Sequence, residues 1–169
     1  LVGSEMCIRD RLRLAAILFV CSPDEARTAL RNLRMDNKTI DTVVKILTYT
    51  PLHIDETEPA VREALHQCGR DIFMLVIRLQ RASIKASEEI TFISNPAKYN
   101  HLNKLQRMAD DILERGDCFT IKALDISGND LIEYGLQGHE IGETLKSLLD
   151  IVIENPKLND KATLIAMID

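Results

Sequence analysis

Apolar positions recur at three- and four-residue spacing through nearly the whole chain, and that period predicts helices. Arg11 to Cys21 reads as an apolar helix. Ser22-Pro23-Asp24-Glu25 is a start signal: an N-cap serine, proline at the first helical position, then acids in the first turn. The helix it opens should reach about Met35, with Ala26, Ala29, Leu30 and Leu33 facing inward. Asp36 or Asn37 caps the next, which carries Ile40, Val43, Val44 and Leu47 and ends at Tyr49-Thr50-Pro51. Thr57-Glu58-Pro59 opens a helix to about Gln67, and Gly69 breaks it. Ile72, Leu75, Val76 and Leu79 mark a long helix to about Ala86, and Ser94-Asn95-Pro96 interrupts. Tyr99 to Glu114 is helical, with Leu102, Leu105, Met108, Ala109, Ile112 and Leu113 inward and Gly116 as its C-terminal stop.

Beyond Gly116 the texture changes. Cys118 to Ile126 is short and semi-apolar, and Ser127-Gly128-Asn129-Asp130 is a turn into a brief helix ending at Gly135. Gly138 opens a helix to about Asn155, bearing Ile141, Leu145, Leu148, Leu149 and Val152. Pro156 stops it, and Asn159 or Asp160 caps a last helix. The expectation is an all-α fold: a helical body over 11–115 and a small helical tail over 116–169.

The first ten residues, LVGSEMCIRD, follow neither period. Val2-Gly3 and Arg9-Asp10 echo the V-G-G-x-V-R-D strand and turn of tRNA nucleotidyltransferases, but two residues too many separate Gly3 from Arg9. The string is also what a common transposon-based sequencing adapter yields on translation. Residues 1–10 are therefore expected to be foreign, with the native frame beginning near Arg11 and its true N-terminus upstream.

Composition sharpens the picture at three points. The chain of 169 residues is 46% hydrophobic, enough to bury a core, yet no apolar run approaches the ~20 residues of a membrane span, and no membrane partner is expected. Outside the first ten residues the cysteines are Cys21, Cys68 and Cys118, an odd number without a CxxC pair, which suits reduced thiols of a cytoplasmic protein. His53, His66, His101 and His139 stand alone in sequence. The net charge of −5 is uneven: residues 1–108 carry 16 basic and 13 acidic side chains (+3), and residues 109–169 carry 5 and 13 (−8). Any phosphate contact is expected from side chains of the first part or from backbone amides of the second.

From Arg11 onward the chain resembles the C-terminal half of bacterial CCA-adding tRNA nucleotidyltransferases. Four stretches carry the likeness in order: ARTALRNLRMDNKTIDTVVKIL, HIDETEPAVREAL, LQRASIKA, and GDCFTIKALDISGNDLIEYGLQGHEIGETLKSLLDIVIENPKLNDKATL. The last is the most specific, with its Gly-Asn-Asp-Leu turn, Gly-x-x-Gly hairpin, Ile-Gly helix start and closing Asn-Pro-x-Leu-Asn. The resemblance implies a body and tail that grip tRNA while an N-terminal head adds C, C and A from CTP and ATP. That head uses a Gly-Ser turn for the triphosphate and an Asp-x-Asp pair for two metal ions, expected to be Mg2+. No Asp-x-Asp occurs here, and Asp110-Asp111 are adjacent on a predicted helix, so this chain alone is expected to be inactive in nucleotide transfer. The family's body often resembles a metal-dependent HD phosphohydrolase. Here Phe19-Val20-Cys21 replaces the usual His-Asp, Tyr49-Thr50 replaces a further His, and His53 and Asp55 lack partners, so no metal ligand is expected. The alternative reading is a stand-alone helical interaction or regulatory module descended from an HD domain.

Two surfaces are candidates for RNA. Arg27, Arg31 and Arg34, at i, i+4 and i+7, share a predicted helical face with Lys38 just beyond, and such a row can track a phosphate backbone or simply be solvated. The second is the hairpin Gly135, Gln137, Gly138 and His139: two glycines allow a tight turn, and the following helix N-terminus offers free N–H groups to an anion. Glu140 and Glu143 in that first turn weigh against it. Arg78, Arg81 and Lys85 read as a solvated row, and Ser127-Gly128-Asn129-Asp130 as a capping turn.

Overall fold

The computed structural model describes residues 2–168, with side chains from Ile8 onward; Leu1 and the side chains of residues 2–7, part of the expected foreign stretch, lie outside it. Among the described residues the fold is all-α, with nine helices and no strand. They are α1 (Val2–Ile17), α2 (Pro23–Asn32), α3 (Asn37–Tyr49), α4 (Glu58–Cys68), α5 (Arg70–Thr91), α6 (Pro96–Arg115), α7 (Gly128–Tyr134), α8 (His139–Glu154) and α9 (Lys161–Ile165).

The helices belong to two compact units, one of Leu1–Glu56 with Cys68–Arg107, the other of Thr57–Gln67 with Met108–Asp169. In the first unit α3 packs against α1, α2 and α5. Its stripe of Ile40, Val43, Val44 and Leu47, with Ile46, is buried against Ala26 and Leu30 of α2 and Leu75, Val76 and Leu79 of α5, as the sequence period expects. Fully burying one such leucine contributes about 1.5–3 kcal/mol. Ser22 and Glu25 form a reciprocal capping box at the start of α2, and Asp36 caps α3 by accepting from the Thr39 N–H.

Several helix ends differ from the sequence expectation. The extended backbone of Ser22 (φ −63°, ψ 157°) requires the chain to leave α1 before it, so α1 stops at Ile17 instead of Cys21 and a turn leaves Phe19 and Val20 exposed. Upstream, α1 runs through the aperiodic opening stretch, which contains no proline. Asn95-Pro96 is less an interruption than a start, because the Asn95 side chain accepts from the Lys98 N–H with Pro96 at the first helical position. Most consequential, α2 ends at Asn32, and Arg34 lies beyond it in the left-handed region (φ 55°). The Arg34 N–H donates to Arg31 O (2.9 Å) and the Met35 N–H to Leu30 O (3.1 Å), the paired bonds of a Schellman stop. Arg27, Arg31 and Arg34 therefore do not form one helical row.

The second unit gathers α4, the end of α6 and everything after it, so its limits differ from a simple 116–169 tail. Cys118, Leu124, Ile126, Leu131, Leu148, Leu149, Val152, Ile153 and Leu164 are buried in one core. The motif-rich segment builds its scaffold. Ser127 and Asp130 form a capping box for α7, and Lys161 of α9 also binds Asp130. Asn155 caps the turn at Pro156, while the Asn159 amide donates to Ala123 O (3.0 Å) and its carbonyl accepts from the Asp125 N–H (2.9 Å).

Arg62 of α4 is buried (2% exposed) and ties these parts together. Its Nε donates to Ile153 O (2.6 Å) and Nη2 to Glu154 O (3.2 Å), two of the carbonyls left open at the C-terminus of α8. Its Nη1 meets Asp117 (3.1 Å) and Glu58 (3.2 Å), and Arg115 bridges the same two carboxylates. The Arg115 guanidinium, joined by Arg62, holds the Asp117 carboxyl below the usual carboxylate range.

Three outcomes are expected. Arg34→Gly relieves a left-handed side-chain residue and should stabilise the chain by up to about 1 kcal/mol, read as a higher urea midpoint at unchanged slope. Arg62→Met leaves two helix-end carbonyls without donors and Asp117 to Arg115 alone, and should cost about 1–3 kcal/mol at neutral pH. Because the folded Asp117 pKa is depressed, its contribution is complete above the unfolded value of about 3.9 and is lost as pH falls through the folded value. Asp117→Asn should flatten that acid limb of a stability-against-pH curve.

Candidate anion-binding groove

The structure sorts the sequence candidates into separate places. Arg27 on α2 is committed to an ion pair with Asp41 on α3 (2.9 Å). Arg31 and Arg34 are exposed, one on α2 and one in the turn after it. Lys38, in the first turn of α3, instead lines a groove of about 880 Å³ in the first unit. Arg11 of α1 and Arg70 and Arg78 of α5 line the same groove.

This groove combines two sources of positive potential. Its four cations face one acid, Asp71, and among the described residues Lys38, Arg70 and Arg78 have no carboxylate within 4 Å. Arg11 is steadied by a bond from Nε to Thr39 Oγ1 (3.4 Å), and Thr39 in turn donates to Asp36 (2.6 Å). The groove also holds the N-terminus of α5. Its N-cap, Gly69 (φ 78°, ψ 157°), has no side chain with which to cap the helix, so open N–H groups and the positive end of a 22-residue helix point to the same place. Ile72, Met74 and Leu75 supply apolar wall. Ile8 contributes as well and lies within the stretch expected to be foreign. An extended polyanion with an apolar component is the ligand such a surface suits.

Sequence reasoning missed this assembly for an identifiable reason. Arg11, Lys38, Arg70 and Arg78 sit on three helices with no common spacing. Sequence spacing groups Arg78 with Arg81 and Lys85, yet Arg81 donates to Asn103 Oδ1 (2.7 Å) and Lys85 lies 4.0 Å from Glu89. The lone Gly69, readable only as a helix breaker, is the one local signal of an uncapped N-terminus.

The Gly135–Gly138 hairpin is built as its glycines suggest. Gly135 (φ 112°) closes α7 with a Schellman pair, its own N–H to Ile132 O (3.0 Å) and the Leu136 N–H to Leu131 O (2.9 Å). Gly138 (φ 55°, ψ −120°) has the angles of the first central residue of a type II′ turn, and the Glu140 N–H donates to Gln137 O (3.2 Å) across it. A Glu140 carboxylate oxygen lies 3.5 Å from the Gln137 N, and His139 lies 3.4 Å from Glu143. The hairpin thus presents amides with acids beside them, a weaker anion surface than the groove of the first unit.

The positions compared with an HD centre also separate. Cys21 and Tyr49 pack against the first core, while Phe19, Thr50 and His53 line a second cavity. His53 lies 3.5 Å from Asp55, both exposed. Among the described residues no three of His, Cys, Asp and Glu gather as a metal centre. Cys68 and Cys118 are buried, and burial pushes the Cys68 thiol up to about 11 and the Cys118 thiol in the same direction.

The described residues are thus an all-helical chain whose first unit carries a cationic groove. The family model tRNA nucleotidyltransferase domain 2 matches residues 10–168, and the chain belongs to that family. No curated protein and no solved structure matches it.

Proposed function

We propose that this chain is the tRNA-holding body and tail of a CCA-adding nucleotidyltransferase, with the groove of Arg11, Lys38, Arg70 and Arg78 as its main contact to the phosphate backbone. The observation that carries the reading is that groove, four cations and an open helix N-terminus, in a member of the tRNA nucleotidyltransferase domain 2 family. Each phosphate neutralised there releases counterions, which gives affinity without base recognition and suits an enzyme that must accept every tRNA. The Gly135, Gln137, Gly138 and His139 hairpin supplies a secondary, amide-based contact. Arg27, Arg31 and Arg34 contribute only to the general field. The catalytic head, with its Gly-Ser turn, Asp-x-Asp carboxylates, Mg2+ and the CTP and ATP they hold, belongs upstream of Arg11, where residues 1–10 stand as foreign sequence. The protein is cytoplasmic in this reading, where tRNA maturation takes place.

Three measurements test the proposal. Lys38→Gln, Arg70→Gln and Arg78→Gln together should weaken binding to all tRNAs. The slope of log affinity against log salt should fall by about one for each phosphate no longer neutralised, whereas Arg27→Gln should change little. Unchanged affinity and slope in the folded triple variant would favour the interaction-module alternative. Separately, amplifying the locus from source DNA should return different codons before Arg11, encoding the Gly-Ser turn and Asp-x-Asp. The extended protein should incorporate labelled CTP and ATP into tRNA lacking its 3′ end, and residues 11–169 alone should not. Recovery of LVGSEMCIRD from the locus, or incorporation by the short chain, would overturn this part.

A further inference from the structure

The end of α5 exposes three large apolar side chains within four positions: Ile90 (77%), Phe92 (92%) and Ile93 (70%). Single exposed apolar residues are ordinary, whereas a cluster marks a place where something docks. This tip is built into a fixed shape. Phe92 is held in the left-handed region (φ 56°, ψ 23°), with its N–H donating to Glu88 O (2.8 Å). The Glu88 carboxylate then ties down the chain beyond, accepting from the Asn95 N–H, the Ser94 hydroxyl (3.3 Å) and the Tyr99 hydroxyl (3.1 Å). A bulky residue keeps such a backbone only where its surroundings over-determine it, and here they present an aromatic ring to the outside.

The surface continues back along the helix. Ala82, Ala86 and Ile90 stand at i, i+4 and i+8 on α5, all exposed, and form one seam in which two small side chains precede a large one. Lys85 and Glu89 flank that seam on one side. Both are mostly exposed, and they lie 4.0 Å apart within the chain, with the lysine preceding the glutamate, the less favourable order on a helix. Their charges therefore remain available to a partner.

We propose that this face pairs with the same face of a second copy of the chain, the two α5 helices running antiparallel about a two-fold axis level with Ser87. In that register Lys85 stands opposite Glu89 of the second copy, and Glu89 opposite its Lys85. Ile90 falls level with position 84 of the second copy, between its Ala82 and Ala86, so the large side chain of each helix meets the small ones of the other. Phe92 falls level with the other Ala82. The surface thus complements itself in both charge and size, whereas an acidic or a basic partner would match only one of Lys85 and Glu89. Such a pairing closes at two copies and covers both tips. The seam spans about three helical turns, a small interface, so the dimer is reversible and depends on concentration. The proposal goes beyond the tRNA reading and does not depend on the cationic groove.

The test is sedimentation equilibrium of the whole chain under reducing conditions, from micromolar to millimolar concentration. A monomer–dimer equilibrium is expected. Ile90→Glu should leave only monomer. Phe92→Gly removes the ring while easing the left-handed backbone, so it should raise the urea midpoint of the monomer and weaken the dimer. Lys85→Glu and Glu89→Lys should each weaken self-association about tenfold or more, because each sets like charges opposite one another twice. An equimolar mixture of those two variants should associate again, since all four facing charges are then opposite in sign. A role of Lys85 and Glu89 within one chain cannot produce that rescue. The substituted side chains are all exposed, so circular dichroism should show the helices intact. Monomer at every concentration overturns the proposal and leaves the tip to a different partner. A dimer that Ile90→Glu and Phe92→Gly leave intact also overturns it, and assigns association to another face. So does a mixture of the charge variants that stays monomeric. None of these substitutions touches Arg11, Lys38, Arg70 or Arg78, so this reading and the tRNA reading fail separately.

Discussion

The second unit depends on one buried guanidinium. Arg62 answers a problem set by helix geometry, that the last carbonyls of α8 have no partners within the helix. Its Nε and Nη2 take two of them, and Nη1 turns to Asp117 just after the Gly116 stop of α6. A cation at a helix C-terminus is favoured by the macrodipole, and the carboxylates of Asp117 and Glu58 balance its burial. No apolar side chain could do this, because it would leave both carbonyls without donors and Asp117 to Arg115 alone. The arrangement also accounts for the division of the chain, in which α4 joins the later helices rather than its sequence neighbours.

In the first unit the organising element is α3, and the groove follows from what its neighbours do at their ends. Packing of α3 against α1 and α5 sets Lys38, Arg11, Arg70 and Arg78 around one space. Lys38, Arg70 and Arg78 remain exposed at the rim and the half-buried Arg11 is bonded to Thr39, so no charge is desolvated without compensation. Gly69 lets α4 end and α5 begin almost at once, and the cost of omitting a side-chain cap is an open set of N–H groups. That feature destabilises a helix locally and makes the place receptive to anions.

The acidic balance of residues 109–169 is consistent with a largely structural role for many of their polar groups. Asp117 pairs with Arg62 and Arg115, Asp130 with Ser127 and Lys161, and Asp160 caps α9. The motif strings that carry the family likeness there are mostly these caps and staples. They specify how the second unit folds more than what it touches.

Helix existence, the all-α class, the inward faces of α3, α5, α6 and α8, and the caps at Ser22 and Ser127 were legible in the sequence, and the α3 cap to within Asp36 or Asn37, because each depends on residues within about two turns of one another. Helix ends were less so. Arg34 shows why: a left-handed stop is usually marked by glycine, and here packing of Met35 on the first core holds an arginine in that conformation. The groove, the Arg62 network and the second cavity were beyond sequence reading. Each joins residues from separate helices, up to 92 positions apart for the Arg62 bond to Glu154, and no periodicity relates such positions. Tertiary packing alone decides which isolated cations become neighbours and which, like Arg27 with Asp41, are neutralised in place.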